Sequence, residues 1–128
     1  MKIKEVEART GLVRKNIRYY ESEELLTPGR EEGNRYRNYS EEDISRLLKI
    51  KLLRQLGVPI RDIREYFEGS LGLREIMARR RSQIDQELEQ LRKMGQLCLR
   101  LEDEPELDPG NVEQCLKEIS EEEKKGSL

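Results

Sequence analysis

Histidine and tryptophan are absent from this chain of 128 residues, which also holds only one phenylalanine and two cysteines. Without histidine there is no imidazole for general acid–base catalysis and no mixed Cys/His zinc site. Cys98 and Cys115 lie far apart in sequence and form no CxxC pair, too little for a disulfide scaffold. No glycine-rich loop is suited to cradling phosphate, and no serine or cysteine has a plausible base beside it. These absences speak against an enzyme and give no reason to expect a cofactor. No apolar run approaches the roughly 18 residues of a membrane span, and the N-terminus does not resemble a signal peptide. The expectation is a cytoplasmic, bacterial-type protein with reduced thiols and no membrane partner.

Large apolar residues are scarce as well. The hydrophobic set is 34% of the chain and charged residues are 41%. That balance suits helices with solvated faces, or a long helix that completes its burial against a partner. Periodic Leu and Ile argue against a disordered chain. The net charge of −2 conceals an asymmetry. Residues 1–70 hold fifteen Lys/Arg against thirteen Asp/Glu, and the remainder ten against fourteen. Phosphate binding requires a basic face rather than a basic protein, so a slightly acidic total does not exclude nucleic acid. Four of the six aromatics, Tyr19, Tyr20, Tyr36 and Tyr39, also gather in the basic segment, among Arg18, Arg30, Arg35 and Arg37.

Residues 2–10 place Ile3, Val6 and Thr10 at helical spacing, and Gly11 ends the segment. A second helix is expected near residues 13–22. On a helical wheel Val13, Ile17 and Tyr20 fall within about 60° of one another. Arg14, Lys15 and Arg18 form a separate basic face with Tyr19 at its edge. Helix, tight turn and basic helix together have helix-turn-helix geometry. Pro28-Gly29 and Gly33-Asn34 are turn signals, and "RYRNY" alternates like a strand, so a small hairpin or wing is expected to carry Arg35, Tyr36, Arg37 and Tyr39.

Ser40 and Asp43 suggest a capping box for a helix reaching Leu56, with Ile44, Leu47, Leu48, Lys51 and Leu52 on and beside one face. Gly57 stops it, and Pro59 suits the first turn of a short helix ending near Phe67. "EGSLG" (68–72) reads as a hinge. Residues 73–101 then form one helix of about 44 Å, on which Ile84, Leu88, Leu91, Met94, Cys98 and Leu101 recur at three- and four-residue steps. Nothing left in the chain is long enough to cover that stripe, so a second copy is the economical partner. An acidic, proline-punctuated loop (102–110) precedes a short helix on which Val112, Cys115, Leu116 and Ile119 share a face, and "SEEEKKGSL" reads as a frayed charged end.

The segments "GLVRKNIRYYE", "LLTPGR" and "GNRYRNYSEEDISRLLKIKLLRQLGVPIRDI" together resemble the N-terminal winged-helix domain of the MerR family of bacterial transcription regulators. The likeness covers about residues 1–67, and the long helix after it is similar to the family's antiparallel dimerisation coil. The resemblance implies a mainly α fold with an N-terminal winged helix-turn-helix domain (1–68), a coiled-coil dimerisation helix (73–101), and an acidic loop, short helix and tail (102–128). It implies a homodimer on a pseudo-palindromic promoter in double-stranded DNA. The bound DNA would be distorted so that the elements read by RNA polymerase come into line, an indirect partnership with the polymerase. Arg18, with Lys15 beside it, would enter the major groove, while Tyr36, Arg37 and Tyr39 would contact or brace against the backbone. The chain departs from the family pattern at Pro59, where a Ser or Thr is usual. It also lacks the paired cysteines in a short loop that serve the family's thiolate metal sensors.

Among these residues Tyr20 is expected in the core and Tyr19 at a phosphate, through its hydroxyl. Cys98 and Cys115 are read as small buried hydrophobes, with a two-thiolate site for a soft monovalent ion as the competing reading. Two other functions remain compatible with the residues alone. One is a helical scaffold associating through 73–101; the other is an architectural DNA-bending protein without effector sensing.

Overall fold

The computed structural model describes residues 1–30 and 37–126, of which Arg35 and Tyr36 are therefore not part. The described chain divides into two compact units, Met1–Arg80 and Arg81–Leu128. Its elements are α1 (Ile3–Thr10), α2 (Arg14–Ser22), β1 (Gly29–Arg30), β2 (Arg37–Asn38), α3 (Glu41–Gln55), α4 (Ile60–Glu68), α5 (Leu73–Glu102) and α6 (Pro109–Gly126). The fold is mainly α, with an N-terminal helix-turn-helix and a long following helix, as expected.

In the first unit the helices end where the backbone is forced to turn. Gly11 closes α1 at φ +73° and Gly69 closes α4 at φ +82°, both in the left-handed region that disfavours a Cβ. Ser40 and Asp43 form a complete capping box at the start of α3, each side chain accepting from the other's backbone N–H. Pro59 stands at the N-cap of α4 without a side-chain cap. β1 and β2 pair antiparallel, Gly29 with Asn38 and Arg30 with Arg37, to form the base of the expected wing.

The core of this unit draws on every helix in it: Val6 from α1, Ile17 and Tyr20 from α2, Leu47 and Ile50 from α3, Ile63 from α4 and Ile76 from α5 are buried. Two sequence readings change here. The inward face of α3 is Ile44, Leu47, Ile50 and Leu53, whereas Leu48 and Leu52 are exposed. Both stripes are apolar at helical spacing, so only the packing partner decides between them. Val13 is exposed because it is the extended N-cap of α2, at φ −77° and ψ 151°, and does not share the helical wheel.

The compact unit runs beyond the expected boundary at residue 68. Ile76 is fully buried in its core, Arg79 Nη1 lies 2.9 Å from Asp62 Oδ1, and Arg80 Nε donates to the Leu56 carbonyl at 2.7 Å. The first two turns of α5 are thus held to the unit by packing, an ion pair and a capping hydrogen bond.

In the second unit Asp108 and Asn111 cap the start of α6 by a reciprocal pair of hydrogen bonds. Arg100 of α5 grips Glu118 of α6 with both terminal nitrogens, at 2.8 and 3.2 Å. A cleft of about 650 Å³ between them is lined by residues that include Met94, Leu97, Arg100 and Ile119. Instead of a short helix with a frayed end, α6 has 18 residues and continues through "SEEEKKG" to Gly126. Glu and Lys are good helix formers, and no proline interrupts them.

Candidate nucleic-acid interface

The helix-turn-helix is built from local chemistry. Thr10, buried at the end of α1, donates its hydroxyl to the Val6 carbonyl at 2.7 Å and accepts from the Leu12 N–H at 3.2 Å. Lys51 reaches from α3 to the Thr10 carbonyl, its Nζ donating at 2.8 Å. Glu7 of α1 then caps α2 from outside: its Oε2 accepts from the Arg14 backbone N–H at 3.0 Å, and its Oε1 faces the Arg14 guanidinium at 3.3 Å. A carboxylate at this position satisfies an orphan donor and complements the positive end of the helix. The turn that aims α2 is therefore fastened on both sides.

Helix α2 divides cleanly. Ile17 and Tyr20 are buried, while Lys15, Arg18 and Tyr19 are exposed. Lys15 and Arg18 form no ion pair among the described residues. Arg14, by contrast, is half-buried against Glu7. The Tyr19 and Tyr20 rings lie 5.7 Å apart at 57°, one outside the core and one within it.

The wing joins this helix through Glu21. Arg37 of β2 donates its Nε to Glu21 Oε2, and Tyr39 donates its hydroxyl to Glu21 Oε1. Glu21 has a side-chain exposure of 9%, so one nearly closed carboxylate on the last turn of α2 accepts from two residues of the wing. Neither terminal nitrogen of Arg37 has a partner among the described residues. Tyr39 is only 2% exposed, which moves it from the expected contact set to the core, where it braces the wing. Burial and the hydrogen bond to Glu21 push its phenol well above the ordinary tyrosine range, with the Arg37 and Arg18 charges opposing.

The expected basic residues are thus brought together in part. Lys15, Arg18, Tyr19 and Arg37 belong to one helix and the strand tied to it, while Arg35 and Tyr36 lie outside the described residues. Other arginines that raise the basic count of this unit are committed to the protein. Arg46 stacks 4.0 Å over the Phe67 ring, and Arg64 binds the Glu23 carboxylate at 2.8 Å. Glu7 and Glu21 were not singled out from sequence, and Lys51 was placed only on or beside a face of its helix, because each acts on a partner brought near by the fold.

In the second unit Leu88, Leu91 and Met94 are exposed, as is Cys98, and Ile84 and Leu101 are partly covered. Cys98 is therefore not a core residue of the chain taken alone. Cys115 is half-buried on α6 and accepts a long contact from Arg100 Nη2 at 3.9 Å. Among the described residues no group of three or more His, Cys, Asp and Glu could hold a metal ion, and no helix is long and apolar enough to cross a membrane.

Residues 1–70 match the family model described as MerR HTH family regulatory protein. This chain belongs to the MerR family. It is similar to the HTH-type transcriptional regulator CueR of Yersinia pestis, with 30% identity over 117 residues that span 86% of this chain and 84% of that one. Its identity with the HTH-type transcriptional regulator HmrR of Rhizobium leguminosarum bv. viciae is 32% over 101 residues, covering 73% and 78% of the two chains. Among solved structures it resembles the transcription regulator PbrR691 from Ralstonia metallidurans CH34 in complex with lead(II). The TM-score there is 0.72 at 27% identity, over 84% of this chain and 90% of that one. This MerR family member is a DNA-binding transcription regulator, and the scaffold reading is set aside. The family is one of regulators rather than of enzymes.

Proposed function

We propose that two copies of this MerR family chain pair through α5 and bind a pseudo-palindromic promoter operator as a homodimer. Each copy contributes one winged helix-turn-helix, within residues 1–68, while 73–101 supply the coil. Arg18 reads base edges from α2 in the major groove, where an arginine can bind guanine O6 and N7 together. Lys15, Tyr19 and Arg37 hold the flanking phosphates, with Arg35 and Tyr36 completing the wing. The observation that carries this reading is the division of α2, whose exposed Lys15 and Arg18 lie apart from its buried Ile17 and Tyr20. The dimer is supported by the exposed stripe Leu88, Leu91, Met94 and Cys98, continued by Ile84 and Leu101, on a polar helix. Distortion of the bound promoter would then act on transcription through RNA polymerase, in the cytoplasm, without catalysis by the chain itself.

The test is selection of bound duplexes from a random pool, followed by titration of the selected operator at several salt concentrations. Arg18→Ala is expected to cost about 1–3 kcal/mol and to relax preference at one position of each half-site. Lys15→Ala should weaken all duplexes alike and reduce the salt slope by about one unit per site. If no duplex is enriched, or if neither variant moves the binding, the interface has been misassigned.

A further inference from the structure

Glu21 stands where a carboxylate is unfavourable in two ways: its side chain is almost closed to solvent, and it sits in the last turn of α2, where the helix dipole disfavours negative charge. It also lies on the helix that carries Lys15 and Arg18, where a negative charge would repel the phosphates of bound DNA. Its position makes physical sense through what it holds. The carboxylate accepts from the Arg37 Nε on one oxygen and the Tyr39 hydroxyl on the other. Tyr39 is itself fixed by burial and by its backbone N–H, which donates to the Met1 carbonyl at 2.8 Å. Arg37 is the more exposed partner: its side chain is about one-third exposed, and only its Nε is engaged among the described residues.

The geometry points to Glu21 as a positioning residue that determines specificity, acting through Arg37 by locking the wing strand to the recognition helix. This rests on the proposed contact of Arg37 with DNA and names what orients it. An arginine held at Nε presents its terminal nitrogens from one place, which suits a phosphate at a fixed distance from the bases read by α2. Released from Glu21, the guanidinium keeps its charge and loses its register. Charge alone drives binding to any duplex, and register separates the operator from the rest. Loss of the Glu21 charge therefore weakens operator binding, while binding to unrelated DNA holds or strengthens.

The experiment compares wild type, Glu21→Gln, Glu21→Ala, Arg37→Ala and the double variant Glu21→Ala/Arg37→Ala, using the full chain. Each is titrated with the selected operator and with a scrambled duplex of the same length, and its thermal unfolding is recorded. For Glu21→Ala the ratio of operator to scrambled affinity is expected to fall about tenfold, with scrambled affinity unchanged or higher. Glu21→Gln keeps one acceptor oxygen and should fall between. In the double variant Glu21→Ala should add nothing to the loss from Arg37→Ala. An unchanged ratio with a lowered unfolding temperature, or full additivity in the double variant, overturns the inference. If Arg37→Ala itself has no effect on operator binding, the assignment of Arg37 to the DNA contact fails instead, and the inference with it.

Discussion

Asp62 on α4 and Arg79 on α5 form an ion pair of 2.9 Å in which the carboxylate is nearly buried and the guanidinium is partly exposed. Together with buried Ile76, this pair makes the start of α5 part of the DNA-binding unit. Among the described residues, removing Arg79 would leave the desolvated carboxylate with the exposed Arg61 as its remaining ion-pair partner, whose Nε is 3.8 Å away. Breaking a fully buried pair costs about 3–5 kcal/mol. Because Arg79 is partly solvated, Arg79→Ala is expected to cost less, about 2 kcal/mol. Denaturant unfolding at one fixed protein concentration would measure it, since dimerisation contributes to apparent stability. Asp62→Leu, which removes the buried charge with its partner left at the surface, should cost less than Arg79→Ala.

Tyr39 gives the wing a dependence on high pH. Its phenol is raised in the folded state above the ordinary value of 10.0 by burial and by Glu21. The folded state thus holds the proton more tightly than the unfolded chain, and the resulting stability is fully present below pH 10.0. It declines as pH rises past that value toward the folded-state pKa, because the unfolded chain ionises first. At neutral pH, Tyr39→Phe should destabilise by about 1–2 kcal/mol through loss of a hydrogen bond to a charged acceptor. Above pH 10.0 the difference between wild type and variant should narrow, as urea titrations at stepped pH would register. A constant difference across that range would argue against the hydroxyl–carboxylate bond.

Gly11 sits at φ +73° in the turn that orients α2, and a Cβ there would come within 2.7 Å of Lys51 Nζ. Gly11→Ala therefore carries a left-handed backbone penalty of about 1–2 kcal/mol. It also displaces the ammonium that donates to the Thr10 carbonyl. The expected outcome is a loss of about 2 kcal/mol in unfolding free energy, with operator affinity reduced because the recognition helix is re-aimed. Lys51→Met, which removes the ammonium but leaves the turn glycine, should show the smaller part of both effects.

What could be read in advance follows the range of the interactions. Gly11, Gly57 and the Ser40–Asp43 box act within a few residues, so helix ends were legible as local chemistry. The inward Ile17 and Tyr20 and the outward Lys15 and Arg18 were legible because α2 has one apolar stripe. Helix α3 has two, and the choice of Ile50 and Leu53 over Leu48 and Leu52 is made by α1 and α4 packing on one side. Glu21 escaped notice for a related reason. Its partners are 16 and 18 residues away across a hairpin, and no periodicity marks a carboxylate that will meet them. For Tyr39 the sequence leaves contact with DNA and packing of the wing both open, and its burial decides for packing.

The exposed stripe of α5 supplies the remaining prediction. Leu88 and Leu91 are each 59% exposed in the single chain, an arrangement that wastes apolar area unless another helix covers it. Covering two leucines on each of two copies contributes about 1.5–3 kcal/mol per fully buried side chain. Placing a carboxylate at Leu91 reverses that contribution, because the charge would have to be desolvated in the seam. Leu91→Glu is expected to sediment as a monomer at micromolar concentration where the wild type sediments as a dimer. The first unit contains neither residue, so its helical signal should survive, whereas operator binding should fall sharply because two half-sites are no longer held by one molecule. A variant that remains dimeric and binds the operator at wild-type affinity would move the dimer contact away from this face of α5.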